Sequence, residues 1–301
     1  MSRALRLALV FLLLGGPAAA GPQLAFSFDD LPAHASLPPN TTRVDVARQF
    51  IAALKAAHLP PAVGFVNGNG VARVPELTAM LATWHDAGFV LANHTWSHTN
   101  LNQASVTDWQ ADVLKNEPIL AQVSRGADWH WFRYPYNGEG ETPQKRQAVR
   151  AFLAAHGYRI APVTMNFADY LYNDVYANCA WHGSDQGVSL LETFYLASAA
   201  ENADYSRAAA RALYGRDIPY VLVVHLGAFN ARMLPRLIAL YRDKGFGFVT
   251  LEQAESDPYY RQYTNPSQPG GPLNFEEELF KRRLPLPPRT DYSRSIAAVC
   301  R

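Results

Sequence analysis

The sequence lacks the short motifs that mark several common classes of enzyme. It contains no His-Glu-x-x-His motif, so a zincin protease is unsupported, and it has no glycine-rich phosphate loop. The segment Gly183–Gly187 holds a serine between glycines, but without the Gly-x-Ser-x-Gly spacing of a nucleophile elbow. A serine hydrolase of that type is therefore unsupported as well.

Charge is also scarce, since charged residues make up 18% of the 301 residues and hydrophobic residues make up 49%. These proportions are typical of a globular protein with a substantial core. The first 20 residues contain Arg3 and Arg6 but no acid, so without them 25 basic residues would face 26 acidic ones. This near balance argues against nucleic acid and anionic membrane surfaces as partners, because both require a basic surface.

The longest purely apolar run near the N-terminus is Leu7–Leu14, which is too short to span a bilayer. Arg3 and Arg6 precede it, and Ala18–Ala20 offers a cleavage site of small residues. This pattern predicts a signal peptide over residues 1–20 and export to the periplasm or the extracellular space, without stable membrane insertion. The alternative is an uncleaved membrane anchor.

Cysteine occurs only twice, at Cys179 and Cys300. In an exported protein such a pair can form a disulfide, which would tie the C-terminus back to the body of the protein. Two free, buried thiols are the alternative.

We expect the protein to be a monomer.

Apolar runs alternate with helical patterns about seven times along the chain. This alternation predicts a distorted or incomplete (β/α) barrel of about seven parallel strands with outer helices. We expect a catalytic domain over residues 21–256 and a Pro-rich extension over residues 257–301, packed on that domain through Phe275, Leu279 and Phe280. Residues 164–187 are rich in Asn, Asp and Tyr and are predicted to be a long loop. The predicted strands lie at residues 24–28, 62–66, 89–92, 129–134, 158–163, 218–224 and 246–250.

Candidate metal ligands follow two of the predicted strands. His94 and His98 come directly after the third strand, and two histidines four residues apart can bind one ion. Asp29 and Asp30 end the first strand, where successive side chains point in different directions. One carboxylate could therefore bind a metal while its neighbour acts as a base. Asp30, His94 and His98 would form a two-histidine, one-carboxylate site for a divalent ion, with Zn²⁺ preferred.

Two further strands end in residues that suit catalysis. Arg133 ends the fourth strand and can hold a carboxylate by a charge-assisted hydrogen bond, and Tyr136 follows in the same loop. His225 ends the strongly apolar sixth strand and is a candidate general acid. Taken alone, His225 could equally be a core histidine.

Together these stretches resemble five motifs of the polysaccharide deacetylases, carbohydrate esterase family four, over about residues 24–251. Ser27–Asp30 resembles the first motif, and His94–His98 matches the second, including the hydroxyl residue Thr95. Arg133–Tyr136 matches the third. Asp169-Tyr170 is the best match to the fourth, and Val223–His225 is similar to the fifth.

The resemblance implies a role for each of these residues in metal-assisted removal of an N-acetyl group from an acetylated glycan. Asp29, oriented by Arg133, would be the base, and Asp30, His94 and His98 would bind the metal. His225, oriented by Asp169, would be the acid. The resemblance further implies that Tyr136 stabilises the oxyanion through its backbone N–H and that Tyr170 and Val223 contact the substrate.

The chain departs from the family pattern at three positions: Leu31 replaces Gly, Tyr170 replaces Trp and Val223 replaces Leu. These changes leave the three metal ligands intact and put the choice of substrate in doubt. O-deacetylation of a polysaccharide such as xylan would use the same residues. A catalytically silent sugar-binding protein on the same scaffold is the third interpretation.

Overall fold

The computed structural model describes residues 21–32, 34–74, 76–271 and 273–301. The predicted signal peptide, residues 1–20, lies outside the described residues. Within the described ranges, no helix combines the length and the apolar character needed to cross a bilayer.

Seven parallel strands form one sheet, which confirms the predicted strand number and direction. The spatial order is β5-β4-β3-β2-β1-β6, and β7 pairs with the start of β1. The strands are β1 Gln23–Leu31, β2 Val63–Val66, β3 Val90–Asn93, β4 Trp131–Phe132, β5 Arg159–Ile160, β6 Tyr220–His225 and β7 Gly247–Phe248.

The sheet curves into an incomplete barrel, as the sequence predicted. The segment 161–165 runs from the end of β5 towards β6. The Ala161 N–H donates to the carbonyl oxygen of Phe132, and Met165 pairs in parallel with Leu222 at the other side of the gap. A single short segment therefore spans the opening between the two outer strands.

Helices cover the outside of the sheet. One of them contradicts the prediction of a long loop at 164–187, because Tyr170–Trp181 is helical. Its polar composition resembles a loop, but Tyr172, Ala177 and Cys179 are buried against the neighbouring helices, and tertiary packing supplies most of a helix's stability. The main helices are α1 Arg43–Ala56, α2 Gly68–Arg73, α3 Glu76–Asp86, α4 Val106–Ser124, α5 Pro143–Ala155, α6 Tyr170–Trp181, α7 Asp185–Tyr214 and α8 Ala228–Asp243.

The strands separate two apolar layers, because side chains alternate between the faces of a strand. In β1, Leu24, Phe26 and Phe28 point outward to the helices, whereas Ala25 belongs to a smaller cluster inside the barrel. The other strands contribute to that inner cluster through Val63, Phe65, Ala92, Trp131 and Val221. The inner face carries the residues that continue into the site at the mouth of the barrel.

The short helix α9 Leu251–Glu255 precedes the C-terminal extension. The extension packs on the body, and its helices are α10 Arg261–Thr264, α11 Phe275–Lys281 and α12 Ser293–Ala297. Phe275 and Leu279 are buried in the main core, as expected, but Phe280 is 81% exposed, which contradicts its predicted burial. Helix α11 buries Phe275 and Leu279, which are four residues apart on one face, and Phe280 lies outside that face. A disulfide joins Cys179 of α6 to Cys300, as predicted.

Candidate metal and catalytic site

Because side chains alternate between the two faces of a strand, four candidate residues lie at the mouth of the barrel. Asp29 follows the inward-facing Ala25 at an even spacing, and Asp29 lies beside His225 in the register between β1 and β6. His94 stands two residues after inward-facing Ala92. The same spacing places Arg133 after Trp131. Because carboxyl ends of parallel strands share one edge, these side chains converge there.

Asp30 reaches the same space only because the backbone is irregular. Strict alternation would turn it away from Asp29, but its φ is +63° and the pairing of β1 with β2 shifts register between Phe28 and Leu31. A left-handed conformation costs most L-residues roughly 1–2 kcal/mol, although Asp tolerates it better. The irregularity lets two consecutive carboxylates face one site.

Asp30, His94 and His98 form the only group of at least three potential metal ligands found in the described ranges, with donor atoms within 4.8 Å of one another. Oδ1 of Asp30 lies 3.6 Å from Nε2 of His94 and 3.4 Å from Nε2 of His98. This oxygen is buried and accepts no hydrogen bond from the described residues. A buried carboxylate oxygen between two imidazole nitrogens fits a divalent cation with nitrogen and oxygen ligands.

The hydrogen bond of His94 and the pKa of His98 agree with this fit. The carbonyl oxygen of Arg133 accepts a hydrogen bond from Nδ1 of His94 at 2.8 Å, which leaves the lone pair of Nε2 facing Asp30. Burial lowers the pKa of His98 to about 4, assisted by nearby His94 and opposed by Asp30 and Asp29. His98 is therefore neutral near pH 7, as a metal ligand must be.

The loop between the two histidines is held by polar contacts. The side-chain amide of Asn67, just after β2, donates to the carbonyl oxygens of His94 and Thr95 at 2.6 and 3.0 Å. The hydroxyl of Thr95 accepts from the Thr99 N–H and so links both ends of the loop. These contacts hold Thr95 and His98 at positive φ values of 63° and 57°.

Asp29 and Arg133 form a buried ion pair beside the three potential metal ligands. Nη1 of Arg133 lies 3.2 and 3.4 Å from the two oxygens of Asp29. The guanidinium also donates to the carbonyl oxygen of Ala161 and to the hydroxyl of Ser27. Because these contacts fix the guanidinium at three points, it can fix the orientation of the carboxylate. Oδ2 of Asp29 lies 3.8 Å from Nε2 of His94.

His225 pairs with Asp169, as the resemblance implied. Oδ1 of Asp169 accepts from Nδ1 of His225 at 3.0 Å, and Oδ2 accepts from the His225 N–H and from the amide of Asn230. Burial by itself would lower the pKa of His225. The charge and hydrogen bond of Asp169, with smaller help from Asp30 and Asp29, outweigh burial and raise that pKa to about 9.

Two exposed tyrosines lie beside histidines of the site. Tyr136 is 67% exposed, and its ring centroid lies 4.5 Å from that of His98. Tyr170 is 43% exposed, and its ring centroid lies 5.5 Å from that of His225. Val223 is buried beneath them on the inner face of β6. The exposed rings offer apolar surfaces to a substrate.

His34 is a further residue of the site, which the sequence analysis did not identify. Its Nδ1 lies 2.8 Å from Oδ2 of Asp30, and its ring lies 5.0 Å from the ring of His225. Burial would raise the pKa of Asp30, but the hydrogen bond from His34 and the nearby His225, His94 and His98 lower it well below its usual range.

Three residues that contact the site residues were not identified from the sequence, and only one of them could have been. Asn67 directly follows a predicted strand, so its position at the barrel edge could have been inferred. His34 lies in a loop four residues after Asp30. Asn230 lies within α8 and contacts Asp169 across 61 residues of sequence. For these two, no local pattern indicates the contact.

Comparison with known families confirms the resemblance stated from the motifs, because the polysaccharide deacetylase family matches residues 17–161. No curated protein matches the chain by sequence.

Solved structures of polysaccharide deacetylases share the fold. A polysaccharide deacetylase from Bacillus cereus is 16% identical with a TM-score of 0.51, and the match covers 76% of this chain and 91% of that one. A peptidoglycan deacetylase from Bacillus subtilis is 20% identical with a TM-score of 0.50, covering 78% and 91%. A carbohydrate esterase family four pseudoenzyme from Bacillus anthracis is 12% identical with a TM-score of 0.51, covering 78% and 65%.

Proposed function

Residues 17–161 belong to the polysaccharide deacetylase family, and on this premise we propose that the protein is a metal-dependent hydrolase that removes N-acetyl groups from an amino-sugar glycan. The observation that carries the proposal is the juxtaposition of three potential metal ligands with two charged pairs. The Asp29–Arg133 pair offers a carboxylate base, and the His225–Asp169 pair offers a protonated imidazole. Hydrolysis of an amide needs both a base that activates the water and an acid that protonates the departing nitrogen.

Asp30, His94 and His98 would hold a divalent ion, for which we propose Zn²⁺. When bound, such an ion polarises a carbonyl and lowers the pKa of water. Three protein ligands are fewer than such an ion binds, so water or substrate would complete its coordination. His34 holds the second oxygen of Asp30, so that Oδ1 is the oxygen facing the two histidines.

The other residues divide the proton transfers between them. Asp29 takes a proton from water as the oxygen attacks the acetyl carbon, while Arg133 keeps the carboxylate in place. The Tyr136 backbone N–H is assigned to the oxyanion that forms. His225 then gives its proton to the departing nitrogen, so that the C–N bond breaks to acetate and a free amine. Tyr170 and Val223 are assigned to the substrate pocket.

O-deacetylation of a polysaccharide such as xylan is the second candidate, since the same residues would cleave an ester. The raised pKa of His225 favours the amide. A nitrogen leaving group needs a proton far more than an oxygen one does, and a pKa of about 9 keeps the imidazole charged near neutral pH.

A silent sugar-binding protein is the third candidate, because one protein of the same fold is described as a pseudoenzyme. The presence of Asp29, Asp30, both ligand histidines, Arg133 and His225 argues against it.

We further propose that the protein is exported to the periplasm or the extracellular space and acts as a monomer. The pattern of residues 1–20 supports export. The disulfide between Cys179 and Cys300 is consistent with an oxidising compartment.

The experiment that tests the function is a screen of acetate release by the zinc-loaded protein. Chitooligosaccharides, peptidoglycan and acetylxylan are the substrates. We expect release from an N-acetylated glycan, and none from His94→Ala, which should also lose its zinc because two remaining ligands hold the ion poorly. His182→Ala, at an exposed position, is the matched control. One equivalent of zinc retained by His94→Ala would contradict the ligand assignment, and no acetate from any glycan would contradict the enzymatic one.

A further inference from the structure

Asn230 of α8 is a fully buried asparagine whose side-chain amide donates to both members of the pair formed by Asp169 and His225. Its Nδ2 lies 2.6 Å from Oδ2 of Asp169 and 2.8 Å from the carbonyl oxygen of His225. An ionised carboxylate and a carbonyl can only accept, so a donor is required at this position. None of the proton transfers proposed above uses Asn230.

The other end of the same amide makes no contact of this kind. Among the described residues, Oδ1 of Asn230 accepts no hydrogen bond, although it is buried. A buried acceptor without a partner costs free energy. The two hydrogen bonds that Asn230 donates are therefore its contribution to the structure, and both go to the acid pair.

The hydrogen bonds give the two oxygens of Asp169 separate partners. Oδ2 accepts from Asn230 and, at 2.7 Å, from the His225 N–H, whereas Oδ1 accepts from Nδ1 of the imidazole at 3.0 Å. The terminal torsion of an aspartate has broad minima and does not by itself fix the direction of its oxygens. Two donors on Oδ2 restrict this rotation and keep Oδ1 directed at the imidazole.

Asn173 of α6 fixes Asn230 in turn. Oδ1 of Asn173 accepts from the N–H groups of Phe229 and Asn230 at 3.0 and 3.3 Å. Helix α8 has no side-chain cap at Gly227, so Asn173 satisfies two of its first N–H groups from another helix. A Cβ atom at residue 227 would overlap Oδ1 of Asn173, so this close approach requires glycine.

These contacts connect the start of α6 to the start of α8 around His225. Asn173 lies one helical turn after Asp169, and its Nδ2 is 3.5 Å from the carbonyl oxygen of Asp169. Asp169, Asn173 and Asn230 are all fully buried. Hydrogen bonds are stronger in such surroundings than in water. The orientation of Asp169 therefore depends on two asparagines from two different helices.

From these contacts we propose that Asn230 is a positioning residue for the general acid, because it holds Asp169 directed at Nδ1 of His225, and that Asn173 holds Asn230. The inference rests on the proposed function, since it concerns the proton that His225 gives to the departing nitrogen. A proton held on Nδ1 by Asp169 leaves Nε2 as the ring atom that can transfer a proton.

The first test observes this hydrogen bond without turnover. In zinc-loaded protein, the proton on Nδ1 of His225 should give a low-field resonance in the proton NMR spectrum, identified by its absence in His225→Ala. Asn230→Leu has a similar volume but no donor, so it should lose this resonance or shift it upfield. Asn202→Leu is the matched control, because Asn202 is a buried asparagine of α7 that lines a groove beside Tyr136. It should leave the resonance unchanged.

The second test compares two substrates. Asn230→Leu should lower kcat/KM for a chitooligosaccharide roughly tenfold and that for an activated aryl acetate less than about threefold, since the aryl leaving group needs no proton. A general loss of structure would lower both rates alike. Asn173→Leu should have the same effects. Asn173→Asp keeps an acceptor for the two N–H groups of α8, so it should retain the resonance and the ratio of the two rates.

An unchanged resonance together with an unchanged rate ratio in Asn230→Leu would overturn the role of Asn230. If Asn230→Leu does not fold, the two variants of Asn173 decide, and equal resonances and rate ratios in both would overturn the proposal. The failure of the proposed function would look different. The resonance of His225 would still depend on Asn230, while the protein without substitutions released no acetate from any glycan.

Discussion

Replacing Asp169 with Asn should move the alkaline limb of the pH–rate profile to lower pH. Asp169 is fully buried, and it is the strongest of the groups that favour the charged form of His225. If His225 must be protonated when the amine leaves, activity falls as pH rises through the pKa of His225. Removing the negative charge should therefore bring that fall into the neutral range.

The size of the shift follows from the pKa of His225, which stands at about 9 against an ordinary value of 6.5. At about 1.36 kcal/mol per pKa unit, the site favours the imidazolium by roughly 3 kcal/mol. Without Asp169, burial opposes the charge and only Asp30 and Asp29 still support it. With a pKa near 6.5, the protonated fraction at pH 8 would be roughly thirtyfold lower, whereas near pH 6 it would change less than twofold.

The hydrogen bonds around Asp169 should lower the pKa of His225 further in Asp169→Asn. One oxygen accepts from the His225 ring, and the other accepts from the His225 N–H and from Asn230. An amide has one oxygen, so it cannot satisfy both sides. If the amide nitrogen faces the ring, Nδ1 must present a lone pair, which further disfavours the imidazolium.

The assay is kcat/KM for deacetylation of a chitooligosaccharide by zinc-loaded protein between pH 5 and 10. Asp204→Asn, on the surface and paired with Lys244, is the matched control. An activated aryl acetate should be affected much less by Asp169→Asn, because its leaving group needs no proton. An unchanged alkaline limb, or equal losses on amide and aryl ester at every pH, would refute the assignment of His225 as the acid.

Three other substitutions test separate parts of the structure. Asp29→Asn should keep zinc and lose about 10²–10⁴-fold in kcat, whereas Asp30→Asn should weaken zinc binding, and the reverse pattern would show that the roles are exchanged. His34→Ala should raise the Kd for zinc about tenfold, because Asp30 loses the hydrogen bond that orients it. His34→Asn can still donate a hydrogen bond and should restore most of the affinity. Equal losses of zinc affinity in the two variants would exclude the hydrogen bond as the cause. Replacing Cys179 and Cys300 with Ser should lower the free energy of unfolding by about 5 kcal/mol in denaturant titrations, since the bond links residues 121 positions apart, and an unchanged value would contradict that estimate.

Much of the fold could be predicted because its signals are local. Apolar runs of four to seven residues, separated by helical patterns, indicated about seven parallel strands, and the structure has seven. The polar residues that follow these runs, Asp29, His94, Arg133 and His225, meet at one edge because parallel strands share their direction. The residues that converge could therefore be named from the sequence, although their roles remain predictions. The segment Tyr170–Trp181 was predicted wrongly, because its helix depends on burial by α7 and α8, which composition does not record.

The sequence by itself determined the succession of strands and helices along the chain and the set of polar residues at the strand ends, because apolar runs and helical patterns are properties of the local chain. Only the tertiary structure decided that Asp30 turns back into the site through a positive φ, and that His34 holds its second oxygen. Only the tertiary structure also brought Asn202 into a groove beside Tyr136. The physical reason is that these contacts depend on how loops, α7 and the C-terminal extension pack against the curved sheet, and segments far apart in sequence meet only when the incomplete barrel has formed.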